Sequence, residues 1–549
     1  MMSIQSIGLT GLRAAQIALV TTSNNVSNVY TPGYNREIVG FAETGNGGVK
    51  SAGVERQFDQ FVAQQLNGTR SSFAALQTYR TQITQIDNLL ADRDAGLAPL
   101  LQNFFSSLQD LAAAPSDPAA RQGVLGSAGT LSAQLRGFDG YLQDMQEGVD
   151  GQIRDEVFQI NNLAEQLATL NREIGLARAR TGEAPNSLLN QRDHMVAQLA
   201  ERVDLRLEIQ DGTTYNVSLA NGQPLVSGTR HYGLEATTSP TDPQRVVVAY
   251  RDGGGNLSVL AGDVITGGSL GGVLAFRGET LDRTQNQLGQ LAVSLGLAFN
   301  EQHRLGIDLN GAAGGDFFTV DTPQTYADAR NTGSAQIVAS AYDPAGYTEL
   351  RATDYTVRVK DGTSSPPEFT VVRRDTGQAL AATDVVYDAA AKTLSFGGVV
   401  LDFDDPSLLQ TGDRFEIQPV RRGAGNFAAA VADIDKIAAG EAPGSGDNRN
   451  ALALQSLQNS RIVGGRASVT QAYAAMVGDV GNRSNVVMVN LEATRGLNEQ
   501  LRALQQADSG VNLDEEAANL IRYQQYYQAN AKVIETGTTV LDIVLGLKA

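Results

Sequence analysis

No cysteine occurs anywhere in the 549-residue chain. That excludes disulfides, thiolate metal sites and a cysteine nucleophile, and it is compatible with life outside the cell. Lysine is scarce: six residues, so most positive charge is arginine, a bias that reads as genomic base composition. Positive charge is in deficit altogether. A net charge of −18 and a pI near 4.7 argue against nucleic acid or an anionic membrane as partner, since either would want a basic face. No run approaches the ~18 continuous apolar residues of a membrane span. The first residues lack a basic start, a continuous apolar stretch and a small-residue cleavage site, so any export is expected to use a route without a cleaved secretory signal. No Gly-Lys dipeptide exists, hence no P-loop. The three histidines, His194, His231 and His303, are far apart with no H-E-x-x-H, and read as ordinary core or surface residues. No catalytic, cofactor-binding or metal-ligating residue is expected, and no cofactor.

What the chain does have is a matched pair of amphipathic ends. From Leu513 the positions Leu513, Ala517, Leu520, Ala531, Ile534, Leu541 and Leu545, with Gln524, Tyr527 and Thr538, alternate four and three for about five heptads. Near the other end Ile4, Ile7, Gly11, Ala14, Ala18, Thr21, Asn25 and Asn28 do the same, beside a second row of Leu12, Ala15, Leu19, Val26 and Val29. Ends of this kind are built to bundle, with each other or with other subunits, which points to assembly rather than catalysis. The expected interface residues are Ile4, Ile7, Leu12, Leu19, Asn25, Leu513, Leu520, Tyr527, Ile534 and Leu541. Asn512 with Glu515 three residues on reads as a capping box, while Gly537 and nearby threonines weaken the last third. The ends are therefore expected to fray in the monomer and order on assembly.

Between the ends, Thr31-Pro32-Gly33-Tyr34 reads as a type II turn, Glu37 to Phe41 as extended, and Thr44 to Gly53 as a glycine-rich loop. Helical spacing covers Phe58 to Leu90 and begins again at Leu97. It stops before Pro115 and restarts at Pro118, then repeats Ile153, Val157, Ile160, Ala164, Leu167, Asn171 and Ile174 at four-three spacing. From Val203 the period becomes two: Leu205, Leu207, Ile209, then Tyr215, Val217, Leu219, with Asn221-Gly222 as a turn. Strand-like runs continue at 246–250 and 257–260. A helix is expected from Ser269 to His303, a β-rich stretch from Phe317 to Arg421, and helix again from Phe427 to the end. The predicted fold is α+β multidomain: terminal coiled-coil-like helices and a long helical bundle stalk with inserted all-β domains. The expected division is a terminal helical core (1–40 and 510–549), a helical bundle domain (41–315 and 427–509) with a β excursion at about 203–265, and an outer β domain (316–426). At 549 residues, 42% apolar and 19% charged, two to four such domains are ordinary.

Four further features have bland and sharp readings. Asp402, Asp404 and Asp405 before Pro406 read as a solvated turn rather than an acid–base pair or cation site. Gly267, Gly268, Gly271 and Gly272 do not fit G-x-G-x-x-G and read as tight packing or a turn. Tyr523, Tyr526 and Tyr527 read as a contact cluster. Asn24, Asn25 and Asn28, poor helix formers, are divided evenly between a solvated face and inter-subunit hydrogen bonding.

The run Ser23 to Arg36 (SNNVSNVYTPGYNR) resembles the N-terminal signature of the flagellar rod, hook and hook-associated protein family. Thr214 to Val226 (TYNVSLANGQPLV), Gly271 to Arg277 (GGVLAFR), Asp447 to Leu452 (DNRNAL) and Gly510 to Leu520 (GVNLDEEAANL) are similar to the hook–filament junction members of that group. The resemblance spans both ends and most of the helical middle and is weakest over about 316–421. It implies a structural, non-enzymatic subunit of the extracellular flagellum, with the terminal helices innermost in a tube and the β domains outward. It implies export by the flagellum's own type III apparatus, self-association in a ring, and contacts with the hook protein and a second junction protein. An export chaperone at the C-terminal helix is also implied. The rival expectations are a hook or distal-rod subunit, or a surface adhesin or enzyme working through the β insert.

Overall fold

The computed structural model describes residues 4–45, 47–91, 96–211, 214–444 and 446–546; the helix ends expected at Ser3 and near Lys548 lie outside them. Ten α-helices are described: α1 (Ile4–Ser27), α2 (Gln60–Ala91), α3 (Leu97–Ala113), α4 (Pro118–Thr181), α5 (Asn186–Arg202), α6 (Gly268–Phe276), α7 (Asp282–Arg304), α8 (Arg449–Ser456), α9 (Val469–Ser509) and α10 (Leu513–Gly546). A π-helical turn, Arg277–Leu281, joins α6 to α7 within the helix expected at 269–303.

The longest element, α4, has 64 residues, or about 95 Å of helix at 1.5 Å per residue. Its start is chemically marked: the Asp117 carboxylate accepts from the Ala119 N–H and Pro118 takes the first helical position, where its missing N–H costs nothing. Gly182 ends it at φ +85°, in the left-handed region that favours glycine. Every member of the Ile153-to-Ile174 repeat is buried. The one polar member, Asn171, donates to the Tyr215 and Gly228 carbonyls at 2.8 Å. Asn161, one face over, donates to the Leu234 carbonyl and accepts from the Leu234 N–H, both at 2.8 Å. The rod thus holds the first β excursion by its backbone.

That excursion is a four-stranded antiparallel sheet over 205–231 followed by a three-stranded one over 233–259. The alternation seen in the sequence sets the register: Leu205, Leu207 and Ile209 face Leu219, Val217 and Tyr215. The glycines at 267–272 do pack tightly. A Cβ on Gly272 would lie 2.3 Å from the Ala75 carbonyl, so α6 and α2 touch backbone to backbone. The outer β region is two four-stranded antiparallel sheets over 324–418, sharing one core that includes Tyr355, Leu394, Phe396, Leu401, Phe403, Phe415 and Ile417. A buried charge network fastens it to the stalk. Arg245 pairs with Asp242 and Asp282, and Arg421 pairs with Asp242 and Asp354. Burial alone would raise the Asp282 pKa, but Arg245 and Arg421 overcome it and hold the carboxyl below its usual range. The Asp404–Asp405 turn is exposed; Asp404 accepts the backbone N–H groups of Gln336 and Asp405, and Asp405 that of Ser407.

Two expectations fail. Thr44 to Gly53 is not all loop: strands β1 (Glu37–Glu43) and β2 (Val49–Arg56) form an antiparallel hairpin with a register shift at Gly40/Phe41. Gly53, at φ +123°, stands opposite that shift, so its backbone freedom serves a bulge rather than a loop. Helix does not return at Phe427 either. Ala428–Ala429 pairs with Phe318–Thr319, and Phe427 stacks on Phe318 at 4.7 Å. Apart from a 3-10 turn at Ile434–Lys436, helix resumes only at Arg449, because a non-local pairing and an aromatic socket outweigh the alanine propensity of the segment.

Asp139 on α4 is buried with the Arg422 guanidinium 3.5 Å away. Burial raises its pKa to about 6, partly offset by Arg422. A carboxyl with a raised folded-state pKa binds its proton more tightly when folded, so its stabilising contribution is present below about 3.8 and lost as pH rises through about 6. Asp139→Asn should therefore be more stable than the parent at pH 7.5 by up to about 2 kcal/mol. The gap should close towards pH 4 in denaturant titrations. A gap independent of pH would contradict this origin.

Candidate assembly site

The two sequence signatures meet in space where α1, the hairpin and α10 converge. The turn at Thr31-Pro32-Gly33-Tyr34 closes as its residues demand, with the Tyr34 N–H on the Thr31 carbonyl at 3.1 Å and Gly33 at φ +78°. It brings the Tyr34 hydroxyl to Asn25, donating to Oδ1 at 2.8 Å. The same Oδ1 accepts from the Glu37 N–H at 2.9 Å. The Asn25 amide donates to the Glu37 carbonyl at 2.9 Å and to Glu516 Oε2 at 3.2 Å. Asn25 thus makes four bonds inside its own chain, a place that neither reading from the sequence assigned to it.

Glu516, 2% exposed, receives on its other oxygen the Arg36 guanidinium, Nε at 2.8 Å and Nη2 at 2.7 Å. Arg36 Nη1 reaches Glu515 at 2.7 Å, and the Arg36 N–H donates to the Ser509 carbonyl at 2.9 Å. Burial disfavours the charged guanidinium, but the bonds to Glu515 and Glu516 outweigh it and raise the Arg36 pKa. Burial, with Glu37 and Glu516 adding to it, holds the Tyr34 phenol above its usual range. Asn512 caps α10, accepting from the Asp514 N–H at 3.0 Å. The Glu515 carboxylate expected to complete the capping box instead serves Arg36, a stronger, charge-assisted partner.

Along the helix pair the inward stripe of α1 is Gly8, Gly11, Ala15, Ala18, Thr22 and Asn25, all buried. It lies beside the rows of larger apolar residues. A Cβ on Gly8 would come within 2.8 Å of Ile534 Cγ1 and 3.2 Å of the Asn530 carbonyl, and one on Gly537 within 3.1 Å of Gln5. Gly537, expected to weaken α10, is a point of close approach. The matching column on α10 includes Glu516 and Gly537, both buried, and half-buried Tyr523 and Asn530, one residue per heptad. Apolar periodicity passes over it because none of the four is aliphatic; seven-residue spacing of Glu, Tyr, Asn and Gly is the signal that was there.

Of the expected interface residues, Leu520 and Ile534 are half-buried, with Ile534 over Gly8, and Leu12 and Leu19 are half-buried. Ile4, Ile7, Leu513, Tyr527 and Leu541 are exposed. They join exposed Ile17 and Val20 on α1 and Ile521, Tyr526, Val533, Val540 and Ile543 on α10. Tyr523 packs edge-on against Phe41 of the hairpin, centroids 6.3 Å apart, and against Tyr526 at 6.2 Å. These side chains leave an extended aliphatic surface exposed on one helix pair.

His303 takes no part. It is buried, with Nδ1 2.7 Å from the Gly315 carbonyl and Nε2 accepting from the Ala438 N–H at 3.0 Å. Its ring is therefore a core strut, and burial lowers its pKa. Among the described residues no three His, Asp or Glu side chains group as metal ligands, and no helix is long and apolar enough to cross a membrane.

Comparison with known proteins converges on one group. The family model described as "Flagellar hook-associated protein FlgK helical domain" matches residues 83–318. Models of the flagellar basal body rod proteins match the ends, 6–35 and 505–547. The chain is 39% identical to "Flagellar hook-associated protein 1" of Salmonella typhimurium and 38% identical to that of Escherichia coli, covering 100% of both chains in each case. Its fold is similar to the flagellar hook junction protein FlgK of Burkholderia pseudomallei, with a TM-score of 0.73 at 27% identity over 80% of this chain and 99% of that one.

Proposed function

The chain belongs to the flagellar hook-associated protein 1 family, structural components of the flagellum, and from that membership we propose how its two ends join hook to filament. Each copy pairs α1 with α10 through the small-residue stripe and the Asn25–Arg36–Glu516 cluster. The aliphatic rows left outside are then covered by neighbouring copies in a ring. The observation that carries this reading is the inside–outside division of the terminal pair: the glycines and alanines of α1 and Glu516, Tyr523, Asn530 and Gly537 of α10 lie within it, with Ile534 over Gly8, while Ile17, Val20, Ile521, Val533, Val540 and Ile543 face out. An inner face this small buries little apolar area, and the hydrophobic contribution scales with that area. The pair is therefore weakly held alone and ordered by assembly.

Its partners on this reading are hook protein on one side and the second junction protein on the other. A chaperone covers the α10 row before export through the flagellum's own apparatus to the extracellular structure. The role requires no chemistry, and we assign the protein no catalysis. The division of labour is a terminal core, a helical bundle and an outward β domain. Electron microscopy of a deletion strain, with flagellin assayed in the medium, tests the placement. Complete hooks without filaments and flagellin lost to the medium are expected. Missing hooks would move the chain to the rod or hook, and normal flagella would refute the role.

A further inference from the structure

The two connectors that tie the terminal pair to the bundle, 31–36 and 509–512, cross beside a cavity of about 170 Å³, far above the ~10–15 Å³ that admits one water. Tyr34 and Asn35 line it from the first connector and Ser509 from the second, facing Asn67 and Arg70 of α2 and His194 of α5.

Arg70 is the residue the fold leaves unexplained. Its Nε is fully buried and has no hydrogen-bond partner. Among the described residues its charged neighbours are Arg502 of α9, of like sign, and Glu201 of α5, with which it forms no ion pair. Burial first, then Arg502, lowers its pKa. The surroundings do not supply the missing charge. Asp193, the lining carboxylate, is already held by Arg56 at 2.5 Å, with Arg192 at 3.8 Å. Among the described residues Arg70 is the one guanidinium that lines the cavity, beside Asn35, Asn67, His194, Gln505 and Gln506. Arg70 as a whole is half-buried; its buried Nε without an acceptor is unfavourable, and the planar fork fits a carboxylate or another oxyanion.

We propose that this cavity is an oxyanion site in which Arg70 takes a carboxylate or small oxyanion and, by filling the space between the connectors, braces the terminal helix pair against the bundle. The anion has two possible sources: a free ion, or an Asp or Glu side chain of a second copy; the latter rests on the self-assembly proposed above. Calorimetric titration of inorganic phosphate into the full chain at constant ionic strength tests the first. Saturable binding that weakens at least tenfold in Arg70→Gln establishes a free-anion site. Should that variant not fold, selenate diffused into crystals of the unaltered chain gives the same answer by an anomalous peak at Arg70. The second source predicts no phosphate binding, but self-association lost in Arg70→Gln and kept in Arg70→Lys. Loss of self-association without any dependence on Arg70 would bear on the assembly reading and not on this site. Absence of both phosphate binding and an Arg70 effect on association overturns the proposal and leaves Arg70 to water or to Glu201.

Discussion

Replacing Arg36 by alanine is expected to release α10 from α1 while the bundle and both β regions stay folded. Glu516 is 2% exposed and would be left ionised and unpaired, and breaking a buried ion pair by removing one partner costs about 3–5 kcal/mol. The cost falls on the terminal pair alone, since Arg36 binds nothing in the bundle except through its backbone. Amide hydrogen exchange over 513–523 should therefore quicken by roughly two to three decades, with residues 120–175 unchanged. Glu516→Gln is expected to be milder, because Arg36 is partly exposed and keeps Glu515. Arg36→Lys should not rescue, since a single ammonium cannot serve both carboxylates in the geometry of the fork. Unchanged exchange in Arg36→Ala would show that the cluster does not hold the ends.

The second large effect separates folding from assembly. Ile543 is 59% exposed on α10, whereas Ile534, one row over, packs on Gly8. Ile543→Glu should leave the monomer's melting temperature and α10 exchange unchanged, yet reduce incorporation into the junction by at least tenfold. A charge placed in a buried apolar contact is costly, and on the proposed assembly this contact forms only between copies. Ile534→Glu should do both, loosening the pair in the monomer and abolishing incorporation; Leu520→Glu belongs with it. Both proteins should retain folded β domains by circular dichroism. Normal motility in Ile543→Glu would remove that row from the interface.

Where a residue's burial follows from its neighbours along the chain, the structure was legible in the sequence. The alternation 205–209 and 215–219, the long repeat 153–174, and the proline that opens α4 are local facts with local consequences. Strand Ala428–Ala429 was not legible, because its cause is Phe318–Thr319, more than a hundred residues away, and alanine alone speaks for helix. The hairpin's second strand was masked by the glycines that serve its tip and bulge. At the terminal pair, apolar periodicity located the helices and several members of the facing rows but missed the axis of contact. Gly8, Gly11 and Gly537 contribute by what they lack, and Glu516 and Arg36 carry charge that a hydrophobic pattern counts as surface. Asn25 stood out as a misfit in a helix, and only its four hydrogen bonds, to three residues in three different segments, explain it.

The central claim is that the terminal pair is registered within each chain but made rigid only by its neighbours. Hydrogen exchange of residues 520–545, measured in the isolated monomer and in the assembled junction, tests it most directly. A gradient is expected in the monomer, with protection near Leu520, beside the Arg36–Glu516 cluster, fading towards Leu545, and uniform protection once assembled. Full protection across the whole segment in the monomer would contradict the claim.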